Sequence, residues 1–211
     1  MNRSQLRFLI TAGPTREFLD PIRFISNRSS GKMGYAIAEA ARVASPHVLL
    51  VSGPTALTPP AGVECESVTT AQEMADTVLA RFDRCDVVVM AAAVCDFRPK
   101  QTAGSKIKKG TFRGVLELEP TVDILAELGK RKQSQTLVGF AAETDDLLDN
   151  ARAKLQHKNL DMIVANTVSA FEAETSAVTL LFADGRIERL PELLKRDAAT
   201  AIIERVLKLR T

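Results

Sequence analysis

A chain of 211 residues can bury one sizeable core, and its 45% hydrophobic and 26% charged residues are ordinary for a globular domain. The formal net charge of +2 gives no reason to expect a nucleic-acid-binding or membrane-surface protein, and no segment is apolar for long enough to cross a membrane. The three cysteines show no CxxC spacing and the two histidines are far apart, which argues against a disulfide framework and a zinc site. We therefore expect a reduced, cytoplasmic protein.

Apolar runs alternate with helix-period segments in the first half of the chain. The pattern predicts strands at 7–11, 47–51 and 87–90, and a helix at 31–44. Thr70 and Glu73 form a candidate capping box before a second helix.

The same alternation continues in the second half. It predicts strands at 137–140, 162–165, 178–182 and 187–190, and helices at 145–158 and 192–209. The turn at 183–186 between two of these strands predicts a β-hairpin. We therefore expect one α/β domain over 1–211 with a doubly wound, mostly parallel Rossmann-like sheet and an antiparallel edge hairpin.

Ligands of such sheets bind beyond the carboxyl ends of the strands, so the loops at that end are the candidate site. These loops are 12–30, 91–120, 141–144 and 166–176. Two of them are long, which favours active-site flaps over simple connections.

The first of these loops ends in Ser29-Ser30-Gly31 at a helix start, where free N–H groups favour an anion. Gly31 and Gly34 would permit close approach of phosphate, and the alternative is a capped helix with small residues for packing. A Walker A loop is excluded because it would need glycine at Ser26 and Ser or Thr at Met33.

An oxidoreductase that uses a nicotinamide cofactor is the first competing hypothesis on this fold. Such an enzyme usually carries an acidic residue after its second strand to bind the ribose, and here Val51-Ser52-Gly53 stands in that place. A non-catalytic nucleotide-binding or scaffold protein is the second competitor.

Further candidates lie in the later loops and helices. Lys106 in KIKKG and the pair Lys154 and Lys158, four residues apart, could bind polyphosphate or simply face solvent. Asp96 could hold Mg²⁺ or cap a turn, and Phe140 could stack on a base or belong to the core. We interpret Cys95 as a small filler, because no histidine that could activate it lies nearby in sequence.

Six segments taken together resemble one protein family. They are ITAGPTRE, DPIRFISNRSSGKMGYAIAEAA, AAAVCDF, KIKK, GFAAET and K-x₃-KNLDMIVAN. Over about 8–206 the chain resembles the phosphopantothenoylcysteine synthetase family, in particular the bacterial synthetase often fused behind a flavin-dependent decarboxylase. The resemblance implies a free-standing synthetase or an excised domain, with a separate decarboxylase as a candidate partner.

The resemblance also implies a two-step ligase reaction in coenzyme A biosynthesis. CTP would activate the carboxylate of 4′-phosphopantothenate to an acyl-cytidylate with loss of pyrophosphate, and the amine of L-cysteine would then displace CMP. Mg²⁺ would neutralise the triphosphate and polarise its α-phosphate. The metal ligands stay unassigned.

Residue roles follow from the same resemblance. Asn27 would hold the activated acyl group, Arg23 would help in the cysteine step, and Lys106 would serve nucleotide activation. The implied nucleotide contacts are Ala92, Asp96, Lys106, Val122, Asp123, Ile124, Leu125, Phe140, Lys154 and Lys158. The implied contacts to phosphate or the acyl phosphate are Ser29, Ser30, Gly31 and Gly34.

The chain departs from the bacterial family at one motif. Thr121-Val122 replaces the Asn-Pro that usually precedes Asp-Ile-Leu at the start of a helix. A milder change is AAVCDF in place of the family's AAVADY. KIKK, GFAAET and the pair Lys154 and Lys158 are bacterial in type, which favours CTP over the ATP that eukaryotic relatives use. The resemblance further implies a homodimer, with the long loops and the edge strands around 178–190 as candidate contacts.

Overall fold

The computed structural model describes residues 3–111, 114–143, 147–167 and 174–210. Its strands, β1 to β14, are Phe8–Ala12, Arg16–Phe18, Phe24–Ser26, Val48–Ser52, Glu64–Ser67, Val87–Met90, Phe97–Pro99, Leu118–Pro120, Thr136–Glu143, Met162–Thr167, Thr175–Ser176, Thr179–Phe182, Ile187–Arg189 and Leu193–Leu194. Its helices, α1 to α5, are Lys32–Ala44, Ala71–Arg81, Ile124–Arg131, Leu147–His157 and Lys195–Lys208.

Eight of these strands form the central sheet, in the order β13-β12-β10-β9-β6-β1-β4-β5. Neighbours from β10 to β5 pair in parallel, and β12 and β13 add an antiparallel hairpin at one edge. The predicted fold class is therefore confirmed. The strand order changes direction between β1 and β6, which is where such sheets open a crevice for ligands.

The helices cover both faces of the sheet. One core joins α1 and α5 to one face through residues such as Ile37 and Ile202, and a second core joins α2, α3 and α4 to the other through Met74, Leu128 and Leu155. Strands β1, β4 and β6 are buried along their whole length, which explains their nearly unbroken apolar sequence.

Most predicted elements agree with the structure to within one or two residues. The capping box of α2 is confirmed: the Thr70 hydroxyl accepts from the backbone N–H of Glu73, and the Glu73 carboxylate accepts from that of Thr70. The predicted helix at 145–158 is α4, and residues 145–146 lie outside the described part of the chain.

Three predictions of element bounds were wrong. The last helix begins at Lys195 instead of 192, because Leu193–Leu194 pair with β11. The predicted loop at 141–144 is strand as far as the end of β9, and Thr144 lies outside the described residues. The predicted loop at 166–176 begins as strand β10 and ends as β11, with residues 168–173 outside the description.

The two long loops contain antiparallel ribbons that the sequence pattern did not predict. Strands β2 and β3 pair within the first loop, and β7 and β8 pair within the second. No described helix combines the length and the apolar composition that a membrane span requires.

Candidate functional site

A cavity of about 740 Å³ opens beyond the carboxyl ends of β6 and β10 and beside Phe140 of β9. Most of the predicted site residues line it: Asn27, Ser29, Ser30, Gly31, Gly34, Ala92, Asp96, Val122, Asp123, Ile124, Leu125, Phe140, Lys154 and Lys158. They come from five separate stretches of the chain, so their convergence is a result of the fold.

Asn27 lies just after β3 and is tied to the segment that follows β6. Its amide nitrogen donates to the backbone oxygens of Ala93 at 3.2 Å and Val94 at 3.0 Å. Because both donor hydrogens of the amide are directed at the backbone, its carbonyl oxygen remains as the acceptor. This arrangement fixes the orientation of the side chain at the cavity wall.

The two predicted phosphate-site glycines serve different purposes. Gly31 precedes α1 with φ of 78°, a left-handed conformation that favours glycine, and a Cβ there would lie 2.7 Å from Thr55 Cγ2. Gly34 faces the sheet, and a Cβ there would lie 2.5 Å from the Cβ of Ala12. The close approach at Gly34 is therefore between α1 and β1, and the packing interpretation applies to this residue.

The opposite wall is formed by the start of α3 and the face of α4. The Asp123 carboxylate accepts from the backbone N–H of Ala126 at 3.0 Å, which caps α3, and from Lys158 at 2.7 Å. Burial opposes ionisation of Asp123, but the hydrogen bonds from Lys158 and Ala126 outweigh it and lower the pKa of the carboxyl group. Lys158 is thus held at the cavity by an anion of the protein.

Lys154 and Phe140 are joined by a direct contact. The ammonium group of Lys154 donates to the backbone oxygen of Phe140 at 2.7 Å, close to the carboxyl end of β9. Both residues are partly buried. Lys154 of α4 and Lys158, just after the end of this helix, therefore line the same wall, as their four-residue spacing indicated.

Arg23 and Lys106 do not line this cavity within the single chain. Arg23 lies in the turn between β2 and β3, where its guanidinium group donates to the Asp20 carboxylate at 2.5 Å and to the backbone oxygen of Ile107 at 2.8 Å. The backbone N–H of Ile107 also donates to Asp20, at 3.1 Å. The structure therefore brings Arg23 and the Lys106 segment together, apart from Asn27 and Lys154, and their roles stay predictions.

The sequence analysis missed three charged side chains and one amide side chain of the cavity wall: Arg28, Lys32, Lys195 and Asn166. Asn166 lies near the carboxyl end of β10, so the rule that pointed to the other loops could have found it. Lys195 is the first residue of α5. It was missed because the predicted start of this helix, at 192, placed Lys195 within the helix.

Cys95 is only 4% exposed, and its thiol contacts the backbone oxygen of Thr15 at 3.5 Å. Burial raises the pKa of this thiol, which keeps it in its unreactive form. The structure agrees with its interpretation as a filler.

The described residues contain no group of three or more His, Cys, Asp or Glu side chains that could hold a metal ion. Asp96 nevertheless lies in the cavity wall as a carboxylate, and Mg²⁺ commonly binds one or two carboxylates together with substrate phosphates. The site therefore fits a magnesium ion that arrives with a nucleotide.

Comparisons with known proteins point to one family. Residues 3–209 match the family described as the DNA/pantothenate metabolism flavoprotein C-terminal domain. The coenzyme A biosynthesis bifunctional protein CoaBC of Bacillus subtilis (strain 168) is 49% identical over 203 residues, covering 94% of this chain and 50% of the relative. The chain thus spans about half the length of the curated relatives it matches.

Solved structures agree with the sequence comparison. The crystal structure of the C-terminal domain of a coenzyme A biosynthesis bifunctional protein CoaBC superposes with a TM-score of 0.85 at 45% identity, over all of this chain and 99% of the other. The Cab2 mutant H337A in complex with phosphopantothenate-cysteine shares the fold, with a TM-score of 0.80 at 19% identity over 97% of this chain and 87% of the other. The chain belongs to the family of DNA/pantothenate metabolism flavoprotein C-terminal domains, the domain that forms the C-terminal part of CoaBC.

Proposed function

We propose that this chain is a phosphopantothenate–cysteine ligase of coenzyme A biosynthesis that uses CTP. The observation that carries the proposal is the convergence of the fixed amide of Asn27, the start of α1 and the pair Lys154 and Lys158 on one cavity. Its family membership and the phosphopantothenate-cysteine bound by the Cab2 mutant support the same substrate class.

The activation step needs charge neutralisation and positioning more than a strong base. A carboxylate oxygen of phosphopantothenate attacks the α-phosphorus of CTP, and the bond to the bridging oxygen of the β-phosphate breaks to release pyrophosphate. The partial positive charge at the start of α1, next to Ser29, Ser30 and Gly31, attracts the anionic groups. Asn27 then steadies the acyl-cytidylate until the amine of cysteine displaces CMP.

The nucleotide lies against the wall formed by Ala92, the residues 122–125 and Phe140. Lys154 and Lys158 turn from their protein partners, Phe140 and Asp123, to the nucleotide phosphates. The partner of Lys158 is the partly exposed carboxylate of Asp123. Exposed ion pairs contribute about 1 kcal/mol or less to stability, so a polyphosphate can replace Asp123 as the partner of Lys158. Asp96 would be the carboxylate that holds Mg²⁺ bound with CTP, and the ion would supply neutralisation of the triphosphate.

Arg23 and Lys106 act in the cavity of a second copy of the chain. This follows if the protein is a homodimer, because both residues lie beside the ribbons β2–β3 and β7–β8 and not in their own cavity wall. The two ribbons expose large apolar side chains: Ile22, Phe24, Phe97 and Leu118 are between 41% and 60% exposed. We propose that these ribbons, in preference to the edge strands around 178–190, form the dimer contact.

The reaction is tested by incubating the protein with phosphopantothenate, cysteine, Mg²⁺ and either CTP or ATP. The expected result is phosphopantothenoylcysteine with release of CMP and pyrophosphate, measured by mass spectrometry. NAD(P)H binding without CTP-dependent release of pyrophosphate would replace the ligase by an oxidoreductase. Activity with ATP alone would correct only the nucleotide.

Asn27→Asp tests the residue that carries the proposal. The variant keeps the shape but replaces the amide donor by a carboxylate, so it loses both backbone hydrogen bonds and repels the anionic intermediate. We expect product formation to fall by at least about a hundredfold while one equivalent of pyrophosphate is still released. Asn150→Asp, a surface change on α4, is the matched control and should retain normal turnover. Normal turnover of Asn27→Asp would refute its role.

A further inference from the structure

Two helices begin side by side at one wall of the cavity, and each begins with a lysine. Helices α1 and α5 pack on the same face of the sheet, and their first residues, Lys32 and Lys195, both line the cavity. Neither helix has a side-chain cap at its start. The partial positive charges of the two helix starts therefore add to the two ammonium groups.

One residue, Glu174, contacts both lysines. Its carboxylate forms an ion pair with Lys32, and its backbone oxygen accepts from the backbone N–H of Lys195 at 3.0 Å. The hydrogen bond from Lys32, with a smaller contribution from Lys195, lowers the pKa of Glu174. Because the Glu174 side chain is 73% exposed, this internal anion can leave at little cost.

Lys195 is far less accessible than a typical lysine. It is 7% exposed, and burial, followed by repulsion from Lys32, lowers its pKa. A buried cation beside a second cation and a helix start is costly unless a strong anion shares the site. The Glu174 carboxylate brings one negative group to this position, whereas a polyphosphate brings several negative oxygens at once.

We infer that Lys195, together with Lys32, binds the β- and γ-phosphates of the nucleotide, and that the Glu174 carboxylate occupies this position until the polyphosphate displaces it. The inference rests on the proposed function, and it adds the residues that hold the leaving pyrophosphate. When the bond between the α-phosphorus and the bridging oxygen breaks, the new charge on that oxygen develops next to these two cations. Binding at this point therefore favours departure of the leaving group.

The test measures binding of inorganic tripolyphosphate by calorimetry, without nucleotide or metal. Lys195→Gln should weaken binding about tenfold to a hundredfold, since a charge-assisted hydrogen bond and its attraction are lost. Glu174→Gln should strengthen it about twofold to fivefold, because the competing anion is removed. Lys208→Gln, at the far end of the same helix, is the matched control and should bind as the parent protein does.

The substitution at the buried lysine is paired with a second variant in case it disturbs folding. Lys195→Met keeps the length of the side chain and its apolar contacts, and circular dichroism checks that both variants fold. Unchanged tripolyphosphate affinity in a folded Lys195 variant, or weaker binding in Glu174→Gln, would overturn the inference even if ligase activity is normal. Weakened tripolyphosphate binding in Lys195→Gln together with no ligase product from the parent protein would instead count against the proposed reaction.

Discussion

Gly34 shows how one missing side chain sets the distance between a helix and the sheet. A Cβ at this position would lie 2.5 Å from the Cβ and 2.9 Å from the Cα of Ala12. The backbone of a central strand cannot move aside as a flexible side chain can. The approach of α1 to β1 therefore depends on glycine, and so does the position of the helix start at the cavity.

Gly34→Ala should destabilise the protein. Alanine stabilises a helix interior relative to glycine by up to about 1 kcal/mol, but overpacking against a strand costs about 1–3 kcal/mol. The net effect on stability is therefore unfavourable. We expect the free energy of unfolding to fall by about 1–2 kcal/mol, measured by urea denaturation. Gly104→Ala, with nothing within 4 Å of the added Cβ, should change it by less than about 0.5 kcal/mol. Equal losses in both variants would contradict the close approach.

At the scale of elements, the Asp20 carboxylate joins the β2–β3 turn to the segment that carries Lys106. It accepts from the backbone N–H groups of Ile22 and Arg23, both at 2.9 Å, and of Ile107 at 3.1 Å, besides the Arg23 side chain. The Asp20 side chain is fully buried. The hydrogen bond from the Arg23 guanidinium group, against the effect of burial, holds the pKa of this carboxyl well below its usual range.

The stabilisation that the Asp20 carboxylate provides should depend on pH only under acidic conditions. A carboxyl with a lowered pKa in the folded state stabilises it fully above the unfolded-state pKa of about 4, and that stabilisation is lost as pH falls below that value. Asp20→Asn should therefore reduce the free energy of unfolding at pH 7, and the difference from the parent protein should shrink at pH 3. Urea denaturation at both pH values measures it.

Hydrogen exchange at the backbone N–H of Ile107 provides a second measurement of its contact with Asp20. At pH 7 the Asp20→Asn variant should exchange the backbone hydrogen of Ile107 faster, because its acceptor has lost its charge. Asp149→Asn, whose side chain is 81% exposed in an ion pair with Arg152, is the control and should change neither quantity. A difference in stability that is constant from pH 7 to pH 3 would show that Asp20 does not act as an ionised group.

At the scale of the whole molecule, the proposed dimer predicts that two inactive variants can complement each other. If Asn27 of one chain works with Lys106 of the other, a mixed dimer of Asn27→Asp and Lys106→Gln contains one cavity with both original residues. Random exchange of subunits should then restore about a quarter of the parent activity, since half the dimers are mixed and half their cavities are intact.

The activity of the mixture distinguishes a site built from two chains from a site built within one chain. If both residues act in the same chain, every cavity in the mixture carries one substitution and no activity returns. Leu118→Glu, which places a charge on the apolar ribbon surface outside the cavity wall, should produce monomers by analytical ultracentrifugation and abolish the complementation. Val43→Glu, at an 89% exposed position on α1, should leave the dimer intact.

The sequence by itself determined the features that depend on neighbouring residues. The capping box at Thr70 and Glu73 works over three positions, and the buried strands β1, β4 and β6 are continuous apolar runs. Alternation of strands and helices was enough to predict a doubly wound sheet, and the position of the loops was enough to predict which end carries the site. The motifs also identified the family.

Only the tertiary structure decided which of the candidate residues meet. Asp20 and Ile107 are 87 positions apart, and the ribbons that hold them depend on pairing that no local pattern encodes. Lys195 was missed because the short pairing of β14 with β11 moves the helix start and turns an ordinary surface lysine into a buried one. Helix periodicity and capping are local properties of the chain, whereas burial and charge pairing arise when distant segments share one low-dielectric space.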